Sequence, residues 1–138
     1  MAKELYTRGQ LEREISQKIQ AFYRSHLGHR PSKVISQLFN AELAIIIEDS
    51  ITNAEQILLK EGKSGLAKKV RFNLDRAIKP DLKQLIEDIA GVKVLDMLSD
   101  ATLATKRTGI IVILSQAPEI RDSHTTYKVK EEIATRLD

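Results

Sequence analysis

A chain of 138 residues, 42% apolar and 30% charged, has the length and composition of one soluble globular domain with a real core. It is mildly basic, with a net charge of +3, and its lack of cysteine excludes a disulfide framework, a thiolate metal site and thiol catalysis. No run approaches the roughly 18–20 apolar residues of a membrane-spanning helix, and the opening MAKEL holds no apolar leader core, so a cytoplasmic location is expected.

Leu11, Ile15, Ile19, Phe22 and Tyr23 recur at helical spacing and predict an amphipathic helix over 8–26. Gly28 is placed to stop it, and Arg30-Pro31 disfavours continuation. Residues 34–39 read as a strand, 40–42 as a turn, and 43–48 as a strand returning antiparallel. That second strand holds three successive isoleucines, whose stiff branched side chains suit a pleated buried surface. The pattern then turns polar, and Thr52 stands three residues ahead of Glu55 in the reciprocal arrangement that caps a helix. A buried strand therefore feeds a capped helix over 53–61, expected to bury Ala54, Ile57 and Leu58 and to end at Gly62.

Ser64 is the expected cap of the next helix, with Leu66, Val70, Leu74, Ala77 and Ile78 on one face. Pro80 predicts a kinked pair of helices rather than one rod, the stripe continuing through Leu82, Leu85, Ile86 and Ile89 to Gly91. Residues 92–98 follow as a strand, with Val92, Val94 and Asp96 on one face and Lys93, Leu95 and Met97 on the other. A polar connection over 99–108 leads to GIIVIL at 109–114, an apolar run suited to a central strand or one buried on both faces. The expected domain is 1–118. The remainder, 119–138, is a polar C-terminal tail in which Val129, Ile133 and Leu137 give a weak helical pattern.

The fold expected is α+β: helix, hairpin, helices, hairpin, with a four-stranded, largely antiparallel sheet and helices packed on one face. The sheet's other face must then be polar or covered by a second subunit. Because Ala44 and Ile46 oppose Leu43, Ile45 and Ile47, the second strand is apolar on both sides, which favours a homodimer.

Chemistry-bearing motifs are few. GKS at 62–64 resembles part of a phosphate-binding loop, but Ile57 stands where the loop needs its first glycine, so a helix-to-helix connection is the better reading. His26 and His29 lack a third nearby ligand, which argues against zinc. His29 and Arg30 form a small cationic loop suited to an anion. No nucleophile elbow or singled-out carboxylate pair occurs, so no catalytic residue, metal or cofactor is assigned and an enzyme is not expected. Charge is uneven: residues 60–79 carry seven basic and two acidic side chains, while 81–100 carry five acidic and two basic. Within the basic stretch Phe72 lies opposite the apolar stripe, with Lys68 and Arg76 four residues to either side and Lys79 a turn further. An aromatic ring in that company fills a partner's pocket, stacks on a base, or is covered by another part of the chain. The binding candidates are thus His29, Arg30, Lys68, Phe72, Arg76 and Lys79.

The blocks GHRP at 28–31, LAIIIEDSITNAE at 43–55, GVKV at 91–94 and LSD at 98–100, followed by an apolar strand, resemble the MpsC family over roughly residues 10–115. None of these blocks is a catalytic signature. The resemblance implies an accessory subunit of a membrane-embedded cation- or inorganic-carbon-transporting system that helps generate membrane potential, with membrane transport subunits as partners. The competing reading is a regulatory module that recognises a small anion or nucleic acid through the basic helix, although with 4% aromatic residues few rings are available for base stacking.

Overall fold

A computed structural model describes residues 5–121. Helix α1 (Arg8–Leu27) starts at a capping box in which the Thr7 hydroxyl accepts from the Gln10 amide at 3.1 Å while Gln10 Oε1 accepts from the Thr7 amide at 2.9 Å. Gly28, at φ 68°, ends it in the left-handed conformation that costs a residue without a Cβ least. Strands β1 (Lys33–Phe39) and β2 (Glu42–Glu48) then form a hairpin about Asn40-Ala41, with Asn40 at φ 58°. Helix α2 (Asn53–Lys60) leads into α3 (Ser64–Ala90), and strands β3 (Val94–Thr102) and β4 (Arg107–Leu114) close the chain's compact part.

The sheet is antiparallel throughout, in the order β1-β2-β4-β3, so the two hairpins join through their second strands. The α+β expectation therefore holds, with four strands and helices on one face. On the covered face Leu43, Ile45 and Ile47 of β2 and Ile110, Val112 and Leu114 of β4 meet Leu11, Ile15, Ile19 and Tyr23 of α1 and Ile78, Leu82 and Ile86 of α3. β4 is central, as its apolar run suggested, but Ile111 on its other side stays open.

Several sequence expectations are corrected. α3 is one unbroken helix with Pro80 inside it rather than a kinked pair: proline removes one amide hydrogen, and packing of Ile78, Leu82 and Ile86 holds the turns on either side. Ser64 is its first residue, not its cap; Lys63 takes that place without a side-chain bond. On α2 Ala54 and Ile57 are exposed, and the buried residue is Glu55. On the first half of α3 the inward residues are Ala67 and Arg71, whereas Leu66 and Ala77 are exposed. β3 begins later and runs to Thr102, so much of the expected polar connection is strand. A bulge at Leu95 shifts the register between Val94 and Asp96, which puts Val94 and Met97 on the same buried side instead of opposite faces. The tail helix suggested by Val129, Ile133 and Leu137 lies outside the described residues.

Candidate functional site

Lys68, Phe72, Arg76 and Lys79 fall on one side of α3 because residues three and four apart stack along a helix. Facing them is the second half of β3, and between the two runs an open groove of about 870 Å³. All four residues line it, together with Met97, Leu98 and Leu103 from the strand side. Phe72 is 60% exposed. The Arg76 guanidinium sits 5.6 Å from the Phe72 ring centroid, a cation–π contact that keeps the ring beside positive charge. The groove thus offers apolar surface with cations along its helical side, and Asp75 and Asp100 also line it.

Beneath it lies a buried ionic knot. Arg71, 4% exposed, donates to Glu55, which is wholly buried, through Nε to Oε2 at 2.8 Å and Nη2 to Oε1 at 2.5 Å. Its Nη2 also donates to the Ser50 carbonyl at 3.0 Å, and its Nη1 to Asp75 Oδ1 at 3.1 Å. Glu55 is at the same time the capping-box acid of α2: its Oε1 accepts from the Thr52 amide at 3.2 Å and hydroxyl at 2.8 Å. The Ser50 hydroxyl bonds that of Thr108 at 2.7 Å, and its amide donates to the Lys106 carbonyl at 2.9 Å. One arginine therefore ties the end of β2, the start of α2 and α3 together, and Ser50 links that knot to the β3–β4 turn. Burial by itself would lower the Arg71 pKa, but its hydrogen bonds and charge contacts with Glu55 and Asp75 outweigh this and raise it. Burial pushes the Asp75 carboxyl above the usual carboxylate range, with Arg71 opposing and Glu55 and Asp100 adding to the rise.

The other binding candidates lie elsewhere. His29 Nε2 donates to the Asp49 carbonyl at 2.8 Å, bracing the loop after α1 against the end of β2. Arg30 Nη2 reaches Gln20 Oε1 at 3.4 Å and borders a shallow surface with Gln17 and Arg24. Neither residue lines the groove. His26 stacks on Phe22 at 3.8 Å between centroids, with Asp81 3.4 Å from Nε2. The GKS stretch lies in the α2–α3 junction.

Sequence reasoning missed Arg71, Asp75 and Asp100 as site residues. A charged residue on a helix's apolar side is the available signal: Arg71 follows Ala67 by one turn and precedes Ile78 by two. Its partner was in view, since Glu55 was singled out as a capping acid.

The model of the family described as "Na+-translocating membrane potential-generating system (MpsC)" matches residues 7–116. The chain belongs to the MpsC family. No curated protein and no solved structure matches it. The MpsC match spans the whole described architecture, from the cap of α1 to just past β4. Its GHRP block forms the end of α1 and the entry to β1, and its LAIIIEDSITNAE block supplies most of β2, Ser50, the α2 cap and Glu55. Both blocks do structural work: they shape the frame of this MpsC chain and the knot beneath its groove. Among the described residues no helix is long and apolar enough to cross a membrane, and no group of three or more His, Asp or Glu side chains is placed to hold a metal ion.

Proposed function

We propose that this MpsC-family chain is a non-enzymatic, cytoplasmic accessory protein of a Na+-translocating membrane potential-generating system, works as a homodimer, and holds an acidic segment of a membrane-embedded partner subunit in the α3–β3 groove. The observation that carries this reading is the convergence of Lys68, Phe72, Arg76 and Lys79 on one open groove whose buried Arg71 is already bonded to Glu55 beneath it and to Asp75. An exposed aromatic ring beside cations anchors an acidic, partly apolar segment well: the ring supplies apolar area and the cations supply selectivity and encounter rate. The family description supports a membrane system as the setting.

The test is co-expression of the chain with membrane subunits of such a system, followed by capture from detergent extract. Capture should weaken as salt is raised and should be lost in Phe72→Ala and in Lys68→Glu with Arg76→Glu. Retention of nucleic acid instead, abolished by the same charge reversals, would favour a basic-helix regulator. Capture untouched by these variants would remove the groove from the interaction.

A further inference from the structure

The face of the sheet turned away from the helices carries an apolar centre. Register places its side chains in four rows across β1, β2, β4 and β3: Lys33, Glu48, Arg107, Thr102; then Ile35, Ile46, Gly109, Asp100; then Gln37, Ala44, Ile111, Leu98; and last Phe39, Glu42, Ile113, Asp96. Ile46 is 46% exposed and Leu98 56%, although both sit on a four-stranded sheet. The edges are less open. Glu12 accepts from the Leu38 amide of β1 at 2.8 Å and Arg8 donates to the Leu38 carbonyl. On β3, Asp96 and Asp100 take the amides of Met97 and Ala101 at 2.9 and 2.8 Å. Side chains that occupy edge backbone groups discourage strand addition, which leaves the face as the surface for a second copy.

We infer that two copies pack these faces together about a two-fold axis running parallel to the strands, between β2 and β4. This deepens the homodimer already proposed and rests on it; the face meets the groove only along the β3 edge, where Leu98, Asp100 and Thr102 border both. Such an axis lays β2 over the second copy's β4 and β1 over its β3. Ile46 then stands over Gly109 of the second copy and Ile111 over its Ala44, so these two central side chains each meet a small one and the axis repeats both contacts, while towards the edges Ile35 and Phe39 stand over its Asp100 and Asp96. In the first row Glu48 stands over Arg107 of the second copy, and Lys33 lies one row from its Asp100. Within one copy Arg107 Nε already donates to Glu48 Oε1 at 2.8 Å, so the axis builds a closed cluster of alternating charge. An axis across the strands, the alternative that also keeps the strands aligned, sets Glu48 over Glu42 of the second copy, and like charges oppose it. Four strands about 4.8 Å apart and seven to nine residues long give a face of about 500 Å² in projection, a small interface whose dimer dissociates on dilution.

Sedimentation velocity of the purified full chain over a concentration series should show monomer and dimer in exchange. Ile46→Arg, whose side chain points out of the sheet, should raise the dissociation constant at least tenfold; Ile57→Arg on α2 and Phe72→Ala in the groove should leave it unchanged. The chain has no cysteine, so introduced thiols report the axis directly. A Gln37→Cys, Leu98→Cys double variant should form dimers with a short bismaleimide, because β1 lies over the other copy's β3, whereas within one copy those strands are about 14 Å apart. Gln37→Cys alone should not. If Ile46→Arg does not fold by circular dichroism, Ile111→Arg takes its place. A monomer at every concentration would overturn the dimer, and with it this packing. A dimer indifferent to these arginines, or Gln37→Cys cross-linking as well alone, would overturn the packing only; capture of membrane subunits by monomers would leave the groove reading standing.

Discussion

The two halves of α3 are anchored by opposite means. The C-terminal half presents Ile78, Leu82 and Ile86 to α1 and the sheet and is held by apolar burial. In the N-terminal half Ala67 is the one fully buried apolar residue, packed with Ile51 and Leu103 against partly buried Leu58 and Leu59, and Arg71 is bonded to Glu55, Asp75 and the Ser50 carbonyl. Apolar packing fills the space between elements, whereas a directional knot fixes positions at a few atoms and leaves space beside them. That is why the groove opens along this half and not the other.

Breaking the knot should produce the largest effect. Arg71→Ala leaves the Glu55 charge buried without its partner and should cost about 3–5 kcal/mol in urea unfolding. Arg71→Met combined with Glu55→Gln should recover much of the loss seen in Arg71→Met alone, since glutamine keeps the cap of α2 without the buried charge. If the double variant is no better, the N-terminal half is not held electrostatically and the contrast fails. Ile86→Ala, in the apolar half, should cost about 3 kcal/mol through lost burial and a residual cavity, with no effect on the groove.

A smaller effect separates the halves by pH. The Asp75 pKa is raised in the folded chain above its ordinary 3.8, so the folded state binds the proton more tightly there. Asp75's contribution is therefore fully present below about pH 3.8 and is lost as pH rises through its folded value. The stability of the wild type relative to Asp75→Asn should fall over that window, whereas Ile86→Ala should shift stability equally at every pH. The smallest change in stability is expected of Phe72→Ala, within about 0.5 kcal/mol because the ring is largely exposed, even as capture of the membrane partner is lost.

The frame was legible wherever one local rule governed. Period-four apolar spacing gave α1, Gly28 and Gly91 gave two helix ends at positive φ, and Thr52 with Glu55 gave the capping box, all as found. The errors lie where a tertiary demand overrode the local rule. Glu55 is buried because Arg71 meets it from another helix, a pairing sixteen positions away that no spacing announces. Leu95 is extruded because β4 accommodates the strand one residue out of step, which brings Val94 and Met97, expected on opposite faces, to the same buried side. At the candidate site, the basic row around Phe72 was readable from helical spacing, while its far wall required the strand to continue to Thr102. His29 and Arg30, grouped with that row as cations, stand on the loop after α1, outside the groove.

The middle of the sheet is sewn from segments far apart in the chain: Glu48 pairs with Arg107 across the whole of α2 and α3. During synthesis the first hairpin therefore emerges with one flank of β2 unmatched, and nothing can complete it until the last strand has left the ribosome. A nascent chain arrested before residue 107 should bind holdase chaperones and resist release, and a chain cut between α2 and α3 should yield no half that folds by itself.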